Sequence, residues 1–196
     1  MLNERLQKQI GFIIELDKMK SVFRQTLLID HTRHENDAEH SWHFAMCALL
    51  LREYAAPEVN VDRAIRMALV HDLIEIYAGD TFAYDDSGNM SKEAREKAAA
   101  DKLFSKLDDD QGLELRALWE EFDAMETPDS LYAAALDRLQ PLINNHMTEG
   151  HTWVEHGVKK DSVLKRMAPI KTAIPPLWDF VEYVIADAIE KGYLKE

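Results

Sequence analysis

One cysteine among 196 residues, Cys47, leaves no intramolecular disulfide to form. The longest uninterrupted apolar run, Phe44 to Leu51, is far short of the roughly 20 residues needed to span a bilayer. The N-terminal MLNERLQKQI has neither the apolar stretch nor the small-residue cleavage site of a secretory signal. These absences lead us to expect a soluble, cytoplasmic protein with no membrane partner. Cations are also in deficit: 23 Lys and Arg face 36 Asp and Glu, a formal charge of −13. Nucleic-acid phosphates are bound by clustered Lys and Arg, so a nucleic-acid polymer is not an expected partner. A small anionic substrate remains open, because a bound divalent cation reverses the local potential inside a cleft.

No internal repeat, low-complexity tract or Pro/Gly/Ser-rich linker divides the chain. Its length suits one domain able to bury a core without staples, and we read residues 1–196 as that domain. Strand alternation is missing too, and no Asn-Gly hairpin signal occurs. Apolar residues recur at helical spacing instead, which predicts an all-α fold with helices over roughly 2–20, 36–54, 61–78, 91–107, 111–125, 128–147 and 176–192. Asn36 with Glu39 reads as a capping box, and Thr127-Pro128 as a cap followed by proline in the first turn. Asp108 to Asp110 reads as a solvated helix start. Two stretches, Gly79 to Met90 and Gly150 to about Ile174, are expected to be irregular. Trp42, Trp119 and Trp178 are expected in core or interface, and Cys47 as a small buried hydrophobe.

The string HDLIEIYAGD, residues 71–80, sets His71, Asp72 and Glu75 among aliphatic neighbours. At about 100° per residue the three share one sector of a helix that is otherwise apolar all round. Burying such charges without compensation costs several kcal/mol, on the order of the penalty for any unpaired interior ion, so they need a partner. A cation is one; a plain hydrogen-bonded core pair is the other. A metal in a helical domain gathers side chains from facing helices, which draws attention to His40 and Asp137. His40 opens a helix that turns strongly apolar, and Asp137 interrupts the apolar surface of Leu131, Ala134, Ala135 and Leu142. Pro141, four residues on, crowds the carbonyl of Asp137.

The ordered strings AEHSWH, HDLIEIYAGDT and LDRLQP resemble the HD-domain metal-dependent phosphohydrolases, within them the group of bacterial 5'-deoxynucleotidases and their eukaryotic HD-domain relatives. The similarity covers roughly residues 10–147, with a C-terminal loop and helix over 150–196 expected to pack on that core. The resemblance implies an HD helical bundle in which His40, His71, Asp72 and Asp137 hold one divalent ion. Imidazole and carboxylate donors suit manganese, cobalt, iron or nickel, and also zinc or magnesium. Binuclear HD proteins generally carry two further histidines between the doublet and the last aspartate. Residues 73–136 contain none, so a single ion is expected.

By the same resemblance the activity is removal of the 5'-phosphate from (deoxy)ribonucleoside 5'-monophosphates by water. Glu75 is expected to handle a proton, Asp80 to orient water or leaving group, and Thr81 to donate a hydrogen bond beside it. Relatives carry an arginine before the first histidine, often followed by tryptophan; here SVFRQTLL supplies Arg24, followed by Gln25. Arg24 is the chosen candidate for the phosphate, with Arg33 further along the same segment as the other, as a planar guanidinium suits an oxyanion. His43 is expected behind His40 or in the core. HMTEGHTWVEHG, with His146, His151, Trp153 and His156, reads as a lid, a base-stacking wall, a structural loop or a dimer contact. A homodimer is expected from the resemblance and from the prevalence of symmetric dimers. Two other classes remain open: hydrolysis of another small phosphate ester, and a catalytically silent metal-binding protein. A zinc protease and a ferritin-like bundle are excluded, since neither His-Glu-x-x-His nor Glu-x-x-His occurs.

Overall fold

Side chains that substitute for missing backbone partners set four of the helix starts among the described residues, at Asn3, Asn36, Asn60 and Thr127. The structure is a computed structural model describing residues 3–84 and 92–196. Asn3 accepts from the Arg5 amide at 2.8 Å and opens α1, Glu4–Leu16, which tightens into a 3-10 turn over Asp17–Ser21. A short hairpin follows: β1, Phe23–Leu27, pairs antiparallel with β2, His34–Asn36, in a register that matches Phe23 to Asn36 and Leu27 to His34. The register shifts between those pairs. No strand was expected here. β1 buries only one end and β2 has three residues, so neither has room for an alternating pattern.

Asn36 ends the hairpin and caps α2, Asp37–Leu50, closing the expected box: its Oδ1 accepts from the Glu39 amide at 3.0 Å, and Glu39 Oε2 from the Asn36 amide at 3.2 Å. Among the described residues the further helices are α3 (Val61–Val70), α4 (Glu75–Ala78), α5 (Lys92–Phe104), α6 (Asp109–Ala124), α7 (Pro128–Met147), α8 (His151–His156), α9 (Lys160–Ala173) and α10 (Trp178–Glu190). Helix α7 is the axis of the assembly, packing against α2, α3, α6, α9, α10 and β1. Thr127 caps it through the Ser130 amide at 3.1 Å, and it runs unbroken through Pro141. One continuous apolar core extends from Phe12 to Leu194, with Phe44, Met67, Leu103, Tyr132, Leu136 and Ile170 fully enclosed.

Three expectations change. The single helix over 61–78 is two: α3 stops at Val70, and residues 71–77 are held largely by i−3 bonds, such as Leu73 N to Val70 O at 3.1 Å and Glu75 N to Asp72 O at 3.0 Å. Such tight turns put residues three apart on one side, so Asp72 and Glu75 face the same way more closely than an α-helix would allow. Residues 150–174 are not irregular but hold α8 and α9. Their punctuation misleads because it ends helices rather than excluding them. Gly150, at φ +67°, lies where a Cβ would come within 2.5 Å of Tyr193 Cβ, so this left-handed turn admits no side chain. For Trp42 the expectation of core or interface narrows to the second: it is 64% exposed, whereas Trp119 and Trp153 are buried. Of the stretch from Gly79 to Met90, residues 85–90 lie outside the described residues.

Candidate functional site

The doublet, α2 and α7 converge at one point. His40 Nε2 lies 2.9 Å from Asp137 Oδ1 and 3.9 Å from Asp72 Oδ2; His71 Nε2 lies 3.0 Å from Asp72 Oδ2 and 3.5 Å from Asp137 Oδ1. All four residues are buried. Each imidazole has its other nitrogen committed to an oxygen, His40 Nδ1 to Gln140 Oε1 at 2.8 Å and His71 Nδ1 to the Ala68 carbonyl at 2.9 Å. Carbonyl oxygens only accept, which assigns the hydrogen to Nδ1 in both rings and aims the Nε2 lone pairs at the carboxylates.

A lone pair facing a carboxylate oxygen at 2.9 Å repels it unless a positive charge intervenes. His71 Nε2, moreover, is buried with no hydrogen-bond partner among the described residues. The charge balance has the same cause. Burial opposes protonation of His71, but Asp72 and Asp137 override it and push the ring up to about 10. His40 is held below its ordinary value by burial and by Arg24. Burial works against the charge on Asp137, which the two histidines nevertheless hold well below the usual carboxylate range. Two imidazoles and two ionised carboxylates around one point form a donor set that fits a divalent cation.

Gln140, which sequence reasoning passed over, ties this cluster to the structure behind it. Its Oε1 accepts from His40, while Nε2 donates to Glu35 Oε1 at 2.8 Å and approaches His43 Nδ1 at 3.0 Å. His43 thus stands behind His40 through Gln140. Glu35 is buried, and burial pushes its carboxyl up to about 7.

A second carboxylate group adjoins the first. Asp37, Glu75 and Asp80 bring one oxygen each within 4.8 Å of one another. Asp37, fully buried on the first turn of α2, carried no signal in the sequence beyond its place in the cap. Burial and the neighbouring carboxylates raise Glu75 well above its ordinary value, and burial raises Asp80. Gly79, at φ +75°, turns the chain out of α4 and aims Asp80 inward. Thr81 Oγ1 accepts from Arg95 at 2.9 Å, which leaves its own hydrogen to donate. Arg24 reaches in from β1, with Nη1 2.8 Å from Asp72, 3.5 Å from Asp37 and 4.0 Å from Asp80.

Arg24, His71, Asp72, Glu75, Asp80, Thr81 and Asp137 line a cavity of about 360 Å³. Its apolar side is Phe82, Tyr84, Phe122 and Trp153; its basic side is Arg138, Arg166 and Lys92, none singled out from the sequence. Trp153 is a wall from α8, whose Thr152 Oγ1 donates to the Gln25 carbonyl at 3.0 Å. His146 and His151 are elsewhere: the first bonds Asp187 at 2.7 Å, the second pairs with Glu155 at 3.6 Å. His156 stacks on Phe82 with ring centroids 4.4 Å apart.

A helical bundle that closes on two histidines and two aspartates from three of its segments defines a class of buried metal-binding sites. Residues 16–178 match the family model described as HD domain, and the chain belongs to that family. Among curated proteins it is similar to 5'-deoxynucleotidase HDDC2 of Danio rerio, 33% identical over 115 residues, 59% of this chain and 56% of that protein. It resembles the Xenopus laevis protein of the same name at 28% over 139 residues, 71% of this chain and 65% of that one. The chain thus spans between half and two thirds of these relatives' own lengths. A crystal structure described as a predicted metal-dependent phosphohydrolase from Magnetospirillum magnetotacticum MS-1 superposes with a TM-score of 0.95 at 47% identity, covering 100% of both chains. A conserved hypothetical protein from Pyrococcus furiosus, at 20% identity and TM-score 0.59, shares the fold.

Proposed function

We propose that this chain, acting as one domain over residues 1–196, is a metal-dependent phosphohydrolase that removes the 5'-phosphate from (deoxy)ribonucleoside 5'-monophosphates. The observation that carries the reading is the cluster of His40, His71, Asp72 and Asp137 opening, on its solvent side, into a cavity with both acid–base and cationic groups. The names of the relatives support this activity, and the description of the Magnetospirillum structure supports the broader class of metal-dependent phosphohydrolase. A single divalent ion held by these four residues, whether manganese, cobalt, iron, nickel, zinc or magnesium, would polarise a phosphoryl oxygen and lower the pKa of water.

Glu75 holds the proton that the attacking water must lose; its Oε2 is buried without a hydrogen-bond partner among the described residues, and its raised pKa makes it a stronger base than an ordinary carboxylate. Asp80 orients the leaving 5'-oxygen, with the Thr81 hydroxyl donating beside it. Arg24 steadies Asp72 through Nη1 and offers the rest of its guanidinium to the phosphate. The apolar wall of Phe82, Tyr84 and Trp153 suits a base or sugar face. Among the described residues no helix is long and apolar enough to cross a membrane. A cytoplasmic setting is supported by the lone cysteine, and the absence of a polymeric nucleic-acid partner by the charge of −13. A homodimer is supported by the exposed apolar face of α1 at Leu6, Ile10, Ile13 and Ile14.

The test is phosphate release from a panel of ribo- and deoxyribonucleoside 5'-monophosphates with added manganese or cobalt. Turnover of the deoxynucleotides is expected; release from none of them, with other small phosphate esters cleaved, would move the reading to a different ester.

A further inference from the structure

Helix α9 enters the site through a residue that nothing in the metal cluster requires. Its buried face is Val163, Met167 and Ile170, which fixes its rotation against α7. Arg166, next to Met167, is thereby turned to the edge of that face and lines the cavity. Its guanidinium makes no hydrogen bond among the described residues, and its nearest carboxylate oxygen is Asp137 Oδ2 at 4.0 Å. Arg138 is differently placed. Nη1 donates to the Ala134 carbonyl at 2.7 Å and Nη2 contacts Met125 Sδ at 3.2 Å, anchoring the group 3.7 Å from the same Asp137 oxygen.

Asp137 therefore stands between two environments. Oδ1 faces the imidazoles of His40 and His71; Oδ2 faces two guanidiniums. One carboxylate oxygen at 3.7 and 4.0 Å does not satisfy two cations. Both guanidiniums are drawn to that one oxygen and stand as neighbouring like charges that repel. An anion placed between the two would relieve that repulsion. Arg24 and its carboxylates occupy the Asp72 side of the cluster, so the vacant donors lie on the Asp137 side.

We infer that Arg166, with Arg138 anchored behind it, forms an oxyanion seat on the Asp137 side of the cavity that holds the phosphoryl group of the substrate and the phosphate product. The inference rests on the phosphohydrolase reading and deepens it, adding a second guanidinium to the one Arg24 supplies. Because the seat belongs to α9, it also gives the C-terminal helices a part in substrate binding.

The experiment titrates inorganic phosphate calorimetrically into the manganese-loaded protein and measures KM for a nucleoside 5'-monophosphate, in wild type, Arg166→Gln and Arg166→Met. Loss of charged hydrogen bonds to a dianion should weaken phosphate binding and raise KM by about 10- to 100-fold. Manganese affinity and the melting temperature should stay as in wild type, since Arg166 touches the cluster only at 4.0 Å. Lys165→Gln, which removes the neighbouring exposed charge, should leave phosphate binding unchanged. Wild-type phosphate affinity in both Arg166 variants would overturn the seat, as would weakened phosphate binding with an unaltered KM, which would place the anion away from the reacting group. Phosphate binding is read without turnover, so a protein that bound phosphate through Arg166 yet cleaved no monophosphate would sink the nucleotidase reading and leave the seat standing.

Discussion

His40 Nε2 and Asp137 Oδ1 stand 2.9 Å apart although 97 residues separate them in the chain. The contact joins the first turns of α2 to the middle of α7, and with the Nδ1 hydrogen directed at Gln140 it sets two electron-rich atoms face to face. Only a cation, or a proton in its place, makes that arrangement favourable. Asp137→Asn keeps the size of the side chain and removes its charge. Manganese affinity, measured by calorimetric titration of the metal-free protein, is expected to fall by at least about 100-fold, more than the loss of an outer partner causes. Unchanged affinity would mean that the ion does not bind between these helices.

Gln140 is the next link. With its oxygen and both amide hydrogens engaged by His40, Glu35 and His43, it has no freedom to turn. Gln140→Leu leaves the imidazole of His40 without the acceptor that fixes its tautomer. We expect manganese affinity to drop by about 10- to 100-fold, and Gln140→Glu, which keeps an acceptor, to recover part of it. A role confined to packing would lower the melting temperature of the metal-free protein and leave metal affinity as it was.

How far the site can be read without coordinates depends on which link a residue occupies. His71, Asp72 and Glu75 announce themselves because three charges in an aliphatic helix demand a reason. His40 and Asp137 follow because each breaks an apolar face. Gln140, Asp37, Arg138 and Arg166 give no such signal, since polar residues on helices are ordinarily solvated and only the packing of α2, α7 and α9 shows where these point. The hairpin escaped notice because its strands are too short and too unevenly buried to alternate. Helices α8 and α9 escaped because Gly150, Gly157 and Pro169 punctuate them. Glycines at helix boundaries and a proline inside a helix read, from sequence, like one long loop.

Glu35 carries a pH dependence of stability whose sign is fixed by its burial. The unfolded chain releases this proton near the ordinary value of 4.5, whereas the native chain keeps it to about 7. Between those values the native state binds more protons, so the contribution is fully present below the lower one and is lost as pH rises through the upper. A shift of that size corresponds to about 3 kcal/mol, as an order of magnitude. Glu35→Gln cannot ionise. In urea unfolding of the metal-free proteins the variant should gain on wild type between about pH 5 and about pH 8. A difference between the two that does not change with pH would show that Glu35 is ionised in the native state throughout.

Glu75 and Asp80 are separable by one substitution. Glu75 is buried, its Oε2 has no hydrogen-bond partner among the described residues, and burial together with Asp72, Asp37 and Asp80 holds its carboxyl well above the usual range. A base works only after it has lost its proton, so wild-type kcat should climb with pH along an acidic limb. Glu75→Gln retains shape and removes the proton acceptor. It should lower kcat by about 10²- to 10⁴-fold, the usual contribution of such a group, and abolish the limb. Manganese affinity should move little, because His40, His71, Asp72 and Asp137 are left untouched. If the variant keeps the limb, the proton passes through another carboxylate, and Asp80, at the turn that Gly79 makes, is the next to substitute.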